Sequence, residues 1–171
     1  ARPSAQALIL VTPYGDDATA CAVAQGLDAK RTGEGEKIFL MVKRRTIMTT
    51  PVTDPAFRDA AQGLLASDGV PVTAIKDSPG FIAQRIVAMI VNIGCYLAQS
   101  RTAAPADIDK GATLGLNYPH GPMAFGDVLG PAKVLKVLDN MTRLYADPRY
   151  RPNLWLTRRA RLGVSLLTAD S

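Results

Sequence analysis

The chain is poor in the residues that carry most catalytic and metal chemistry. Its 171 residues include two cysteines, one histidine (His120) and two glutamates, Glu34 and Glu36, both in one polar loop. Cys21 and Cys95 lie far apart in apolar segments, which excludes a disulfide framework and a CxxC metal knuckle and points to a reducing compartment. A single histidine cannot build a His-based metal cluster from this chain alone, and two neighbouring glutamates make a conventional acid/base pair hard to assemble. There is no GxGxxG, and the Gly33-x-Gly35 pair near Lys37 lacks the spacing and the Ser/Thr of a P-loop. Long hydrophobic runs are absent too. The apolar stretch Phe81 to Ala98 is broken by Gln84, Arg85 and Asn92, short of a membrane span, and the basic start at Arg2 leads only into Ala7 to Val11 before Pro13 and Gly15, so no signal peptide is expected in this stretch. The expected setting is soluble and cytoplasmic, with no membrane partner.

What remains is an ordinary globular composition: 47% hydrophobic, 20% charged, net charge +5, with 14 Gly and 12 Pro dispersed as turns and caps. The positive charge is uneven. Arg143 to Arg161 holds six Arg against the single acid Asp147, interleaved with Tyr145, Tyr150 and Trp155. Such a run reads first as a solvated face of the last helices; a phosphate-bearing small molecule or an acidic partner surface fits it equally well, and no nucleic-acid motif accompanies it.

Period and punctuation divide the chain. Ala7 to Val11 reads as a buried strand, Asp16 and Asp17 as caps for a helix through Leu27, Asp28 to Lys37 as a polar loop, and Ile38 to Val42 as a short strand. Thr46 to Thr50 is the next strand, Thr53-Asp54-Pro55 starts a helix to Ala66, and Val70 to Ile75 is a strand, together a small, mostly parallel α/β layer. From Pro79 the period turns helical. Ile82, Ile86, Met89, Ile90, Ile93 and Leu97 form one stripe and Val87, Val91 and Cys95 another, so this helix is expected to be buried nearly all round, with Gly94 admitting a close neighbour. A helix from Pro105 with Asp107 and Asp109 in its first turn ends at Gly115 to Asn117. Helices over Gly121 to Leu129, Pro131 to Ala146 and Leu154 to Leu167 follow. The boundary is set at 76/77, between residues 1–76 and 77–171.

Two segments rise above background. Asp77-Ser78-Pro79-Gly80-Phe81-Ile82-Ala83-Gln84-Arg85 joins a strand to the apolar helix, and Gly115-Leu116-Asn117-Tyr118-Pro119-His120-Gly121-Pro122 leads to Asp127. Together they resemble the C-terminal domain of the 3-hydroxyacyl-CoA dehydrogenases, whose pattern is D-[ST]-x-G-F-[IV]-x-N-R followed by a G-x-G-Y-P-x-G-P turn and an Asp. The match covers roughly Thr46 to Ala146. Gln84 stands where the family has Asn, and Asn117 replaces the Gly before Tyr.

The resemblance implies a truncated Rossmann-like α/β layer over residues 1–76, followed by an all-α domain over 77–171 similar to the C-terminal domain of 6-phosphogluconate dehydrogenase. It implies a parent protein that moves hydride between a 3-hydroxyacyl-CoA and NAD in fatty-acid-type metabolism. An N-terminal NAD-binding domain would supply cofactor and base, and the helical domain would bind substrate and form a homodimer. Gln84 falls at the family's catalytic Asn, one turn into the helix at a strand's C-terminal end; glutamine carries the same amide about 1.5 Å further out. Ser78, Phe81, Tyr118, Pro119, Gly121 and Pro122 become the candidate substrate-binding residues. Before Thr46 the likeness fades. Thr49-Thr50-Pro51 matches the end of a family strand, but Thr46 occupies the Glu position and no His precedes it, so the His-Glu dyad is absent, as is the glycine-rich NAD loop. A degenerate second copy of the helical unit would explain this, and the chain alone is expected to use no cofactor or metal and to be inactive. The competing reading is a non-catalytic dimerisation module. The related 3-hydroxyisobutyrate and 6-phosphogluconate dehydrogenases share the layout but lack the Tyr118-Pro119-x-Gly121-Pro122 turn.

Overall fold

The computed structural model describes residues 4, 6–35 and 43–170. Its residues form two compact units, Ala1–Phe81 and Ile82–Ser171. The described residues hold a four-stranded sheet and seven α-helices.

In the first unit, β1 (Ile9–Val11), β2 (Thr32–Gly35), β3 (Arg45–Thr49) and β4 (Val72–Lys76) lie side by side in that order. β1–β2 and β3–β4 are parallel and β2–β3 is antiparallel, which makes the sheet mixed. β2 falls inside the expected polar loop. Its Thr-Gly-Glu-Gly sequence has no apolar alternation, and pairing on both edges holds it extended while the Thr32 hydroxyl, fully buried, donates to the carbonyl of Asp28 at 2.8 Å. The expected strand Ile38 to Val42 lies outside the described residues. Two helices complete the unit. α1 (Ala18–Gln25) is capped by Asp17, whose carboxylate accepts from Ala20 N–H at 2.6 Å, and α2 (Pro55–Ala66) starts on Asp54 with proline in its first turn, as its sequence predicts.

The second unit is all helical: α3 (Ala83–Gln99), α4 (Pro105–Leu116), α5 (Pro122–Leu129), α6 (Pro131–Tyr145) and α7 (Leu154–Leu162), with a short tight helix at Pro148–Tyr150. Val91, Cys95, Met123, Leu138, Met141, Leu156 and Leu166 are wholly buried in its core, the Val, Leu and Met side chains each contributing about 1.5–3 kcal/mol by leaving water. α3 is not buried all round. Its Val87, Val91, Gly94, Cys95 and Ala98 side faces the core, whereas Ile82, Ile86 and Ile93 are more than half exposed. α7 stops at Leu162, short of the expected Leu167, because Gly163 takes a left-handed conformation and turns the chain back. The returning tail seats Leu166 in the core, where Asp127 accepts from its N–H and Trp155 Nε1–H donates to its carbonyl. No helix among the described residues is long and apolar enough to cross a membrane.

Candidate functional site

The Asp77–Phe81 segment is built into the first unit. Asp77 accepts from the N–H groups of Ala18 (2.8 Å) and Thr19 (3.1 Å) and from the Thr19 hydroxyl, so its carboxylate closes the N-terminal end of α1. Burial, with Asp17 close by, pushes that carboxyl above the usual carboxylate range. Gly80 N–H donates to the carbonyl of Asp16 at 3.1 Å, and Ser78 N–H to the sulfur of Met48 at 2.8 Å. Phe81, a candidate substrate contact, is 1% exposed and packs with Ala18 and Met48. Its ring belongs to a core. Reaching it there costs a left-handed backbone, φ 46°, at a non-glycine residue.

Gln84 lies at the start of α3 and is buried, not a residue of the helix surface. Its neighbour Arg85 donates to the Tyr145 hydroxyl at 2.6 Å and stacks over that ring.

The Tyr118–Pro122 turn connects α4 to α5. Asn117, with φ 54°, closes α4 in the left-handed region, which explains why asparagine can replace glycine there: after glycine it enters that region most readily. Asp109 is in the second turn of α4, not the first, and serves the next helix, accepting from Met123 N–H at 2.7 Å and Ala124 N–H at 2.9 Å. A Cβ on Gly121 would lie closer than 3.0 Å to the Cα, Cβ and Cγ of Asp109; only glycine lets α4 and α5 meet this way. Pro122 sits against Gly94 with equally little room, the close neighbour that Gly94 predicts. Gly94 is ten residues beyond Gln84 on α3, about 15 Å along the axis, so the turn meets α3 three turns away from Gln84. Pro119 and His120 are exposed, and the His120 ring meets the edge of Phe125 at 5.5 Å. Tyr118 and Pro122 line an apolar groove of about 400 Å³ between α3 and α4.

Asp127, the last motif residue, holds the C-terminal tail through Ser165 Oγ (2.5 Å) and Leu166 N–H (2.8 Å). The motif aspartates thus fasten backbone, a role that no local signal betrays because each partner is remote in sequence. Of the basic run, Arg159 is interior: its guanidinium lies 3.2 Å over the Trp155 ring, donates to the Thr168 carbonyl and pairs with Asp170 at 2.9 Å. Burial pushes the Cys95 thiol up to about 12, which leaves it unreactive. No cluster of three metal-ligating side chains occurs among the described residues.

A family model described as the 3-hydroxyacyl-CoA dehydrogenase C-terminal domain matches residues 80–165, nearly the whole helical unit. The chain belongs to the 3-hydroxyacyl-CoA dehydrogenase family. It is 38% identical over 117 residues to the 3-hydroxyadipyl-CoA dehydrogenase of Escherichia coli, covering 68% of this chain and 25% of that protein. It is 32% identical over 92 residues to the 3-hydroxybutyryl-CoA dehydrogenase of Clostridioides difficile, covering 54% of this chain and 32% of that one. The crystal structure of an E. coli 3-hydroxybutyryl-CoA dehydrogenase superposes with a TM-score of 0.81 at 34% identity, over 90% of this chain and 32% of the other. The matched segments thus span only a quarter to a third of these dehydrogenases.

Proposed function

We propose that this chain is the C-terminal part of an NAD-dependent 3-hydroxyacyl-CoA dehydrogenase of the cytoplasm, one that interconverts 3-hydroxyacyl-CoA and 3-oxoacyl-CoA. Its helical unit serves the acyl-CoA, while an N-terminal domain outside this chain supplies NAD and the catalytic base. The observation that carries this reading is Gln84, a buried amide at the family's Asn position, on the helix where the family match begins. On this reading the first unit is a truncated Rossmann-like layer, and the second has the layout of the 6-phosphogluconate dehydrogenase C-terminal domain.

The residues present do not fit NAD. A dinucleotide's pyrophosphate needs free N–H groups at a helix N-terminus after a glycine-rich turn. Here Thr12-Pro13-Tyr14-Gly15 precedes α1, proline brings no N–H, and the N–H groups of Ala18, Thr19 and Ala20 already bond the carboxylates of Asp77 and Asp17. Phosphates would meet two acids. Cys21 and Cys95, both buried thiols, are in keeping with a reducing compartment.

A second reading, a non-catalytic dimerisation module, is favoured by the purely structural work of Asp77, Asp109, Gly121 and Asp127 and by the exposed Ile82, Ile86 and Ile93 ridge, a face suited to a second copy of the chain. Steady-state kinetics of Gln84→Ala in the complete protein separate the two. The dehydrogenase reading expects kcat/KM to fall by on the order of tenfold to a thousandfold, and unchanged kinetics with unchanged folding leave the module.

A further inference from the structure

The C-terminal tail is held the way a bound peptide is held. α7 ends at Gly163, whose φ of 68° reverses the chain. Of residues 164–170, Leu166 alone is buried and the rest are exposed. The tail has a turn of its own, with Thr168 N–H donating to the Ser165 carbonyl at 3.1 Å and Leu167 N–H to Ser165 Oγ at 3.0 Å. Past Val164, no backbone-to-backbone hydrogen bond among the described residues joins it to another segment. Side chains hold it instead.

The seat offers one group for each feature of that turn. The Leu166 side chain enters the core against the bare Cα of Gly126, where a Cβ would lie closer than 3.0 Å to Leu166 Cδ1 and Val91 Cγ1. At one end Asp127 accepts from the Ser165 hydroxyl and from Leu166 N–H, and Trp155 Nε1–H donates to the Leu166 carbonyl at 2.9 Å. At the other end Arg159 donates through Nε to the Thr168 carbonyl at 2.8 Å and pairs with the Asp170 carboxylate at 2.9 Å. These groups stand on α5 and α7, whose Met123, Trp155 and Leu156 are buried in the core, so they are in place before a peptide arrives. Lifting the tail would strand the interior Arg159 cation and strip the Asp127 carboxylate of both its donors, and a buried group left unpaired is costly. An emptied seat therefore selects the chemistry that fills it now: a hydroxyl and an N–H for the acid, a leucine for the hole, and a carbonyl and a carboxylate for the arginine.

We propose that this seat is a peptide-recognition site, filled in cis by the chain's own tail, and that it accepts the same Ser-Leu-x-Thr-x-Asp segment in trans from a second copy. Gly163 is the hinge, since a glycine crosses between left-handed and extended backbone at little cost. The tether gives the cis tail an effective concentration of about millimolar, so the trans segment competes when copies are concentrated or when the cis tail is impaired. Reciprocal exchange closes on two copies. This contact is separate from the Ile82, Ile86 and Ile93 ridge, because Val91 lies on the core side of α3 and the ridge on its exposed side.

Leu166→Ala in the full 171-residue chain vacates the seat, and a fluorescein-labelled peptide of residues 163–171 tests it by anisotropy. The peptide is expected to bind this variant about tenfold or more tightly than the parent, whose own tail competes. It should also restore the emission of Trp155, the chain's single tryptophan, whose indole N–H bonds the Leu166 carbonyl. Leu166→Ala within the peptide should weaken binding by about thirtyfold or more, whereas Leu167→Ala, at an exposed position, leaves it unaltered. Where the variant chain is unfolded by itself, millimolar peptide should raise its melting temperature by several degrees. For exchange, the Leu166→Ala chain, with a sound seat, is mixed with an Asp127→Asn chain, which has a sound tail. Native mass spectrometry should show the mixed pair above its statistical share. A peptide that neither binds nor raises the melting temperature, binding indifferent to Leu166→Ala in the peptide, or the absence of an excess mixed pair overturns the proposal. Every readout is binding or folding of this chain and not turnover, so it fails or holds separately from the dehydrogenase reading.

Discussion

Replacing Gly121 with alanine should destabilise the helical unit by about 2–4 kcal/mol. The backbone itself would accept the change, since Gly121 has φ −73° and alanine loses less conformational entropy on folding, a gain of about 0.4–1 kcal/mol. Space decides against it. The new Cβ would collide with the Cα of Asp109, a backbone atom that cannot swing aside, so α4 and α5 must part. Overpacking of this kind costs about 1–3 kcal/mol. Separation also stretches the bonds from Met123 and Ala124 N–H to the Asp109 carboxylate, and hydrogen bonds to a charged group contribute about 1.5–3 kcal/mol each. These losses overlap, because one movement causes both, and the total stays below their sum. Urea unfolding followed by far-ultraviolet circular dichroism gives the number. Gly111→Ala, inside α4, is the control: its Cβ would meet no neighbouring atom within 4 Å, and alanine in a helix interior should stabilise by up to about 1 kcal/mol. A Gly121→Ala midpoint within about 0.5 kcal/mol of the parent at unchanged slope would refute the close-approach argument.

Leu166→Ala should cost about 2–5 kcal/mol by emptying a wholly buried site, whereas Leu167→Ala at its half-exposed neighbour stays near the parent; paired urea curves check the contrast. Asp68, hydrogen-bonded to Arg45, is held at about 2, below its ordinary 3.8. A depressed carboxylate stabilises the fold above its unfolded value, so this contribution is whole above about pH 4 and is lost as pH falls through 2. Carbon-13 NMR titration should give a midpoint of about 2 that returns to the usual range in Arg45→Gln; a parent midpoint near 3.8 would contradict the pairing.

Periodicity and caps made most of the helices legible. Asp54-Pro55 set the start of α2, and Pro105, Pro122 and Pro131 open α4, α5 and α6. β2 stayed hidden because its strand state comes from two neighbours and not from its own residues. The end of α7 was overrun because Leu166 and Leu167 continue an apolar pattern that in fact belongs to the returning tail. The two motifs identified the family correctly, yet their spacing could not tell ligand contacts from fasteners. Asp77 meets Thr19 across 58 residues and Asp127 meets Leu166 across 39, and a sequence read locally has no access to such pairs.

The carboxylate of Asp77 at the head of α1 acts as a resident counter-ion, and this makes the arrangement a ratchet. A glycine substituted for Pro13 would restore one N–H, but the helix end would remain filled by an internal acid. Removing that acid would expose the amides and, in the same stroke, take away the carboxylate bonds that fasten Asp77 to α1, leaving the segment its Gly80 N–H bond to Asp16 and the packing of Phe81 on Ala18. Anion binding at this helix and anchorage of the segment are mutually exclusive uses of the same three N–H and O–H groups, so neither can be regained by a single substitution without giving up the other.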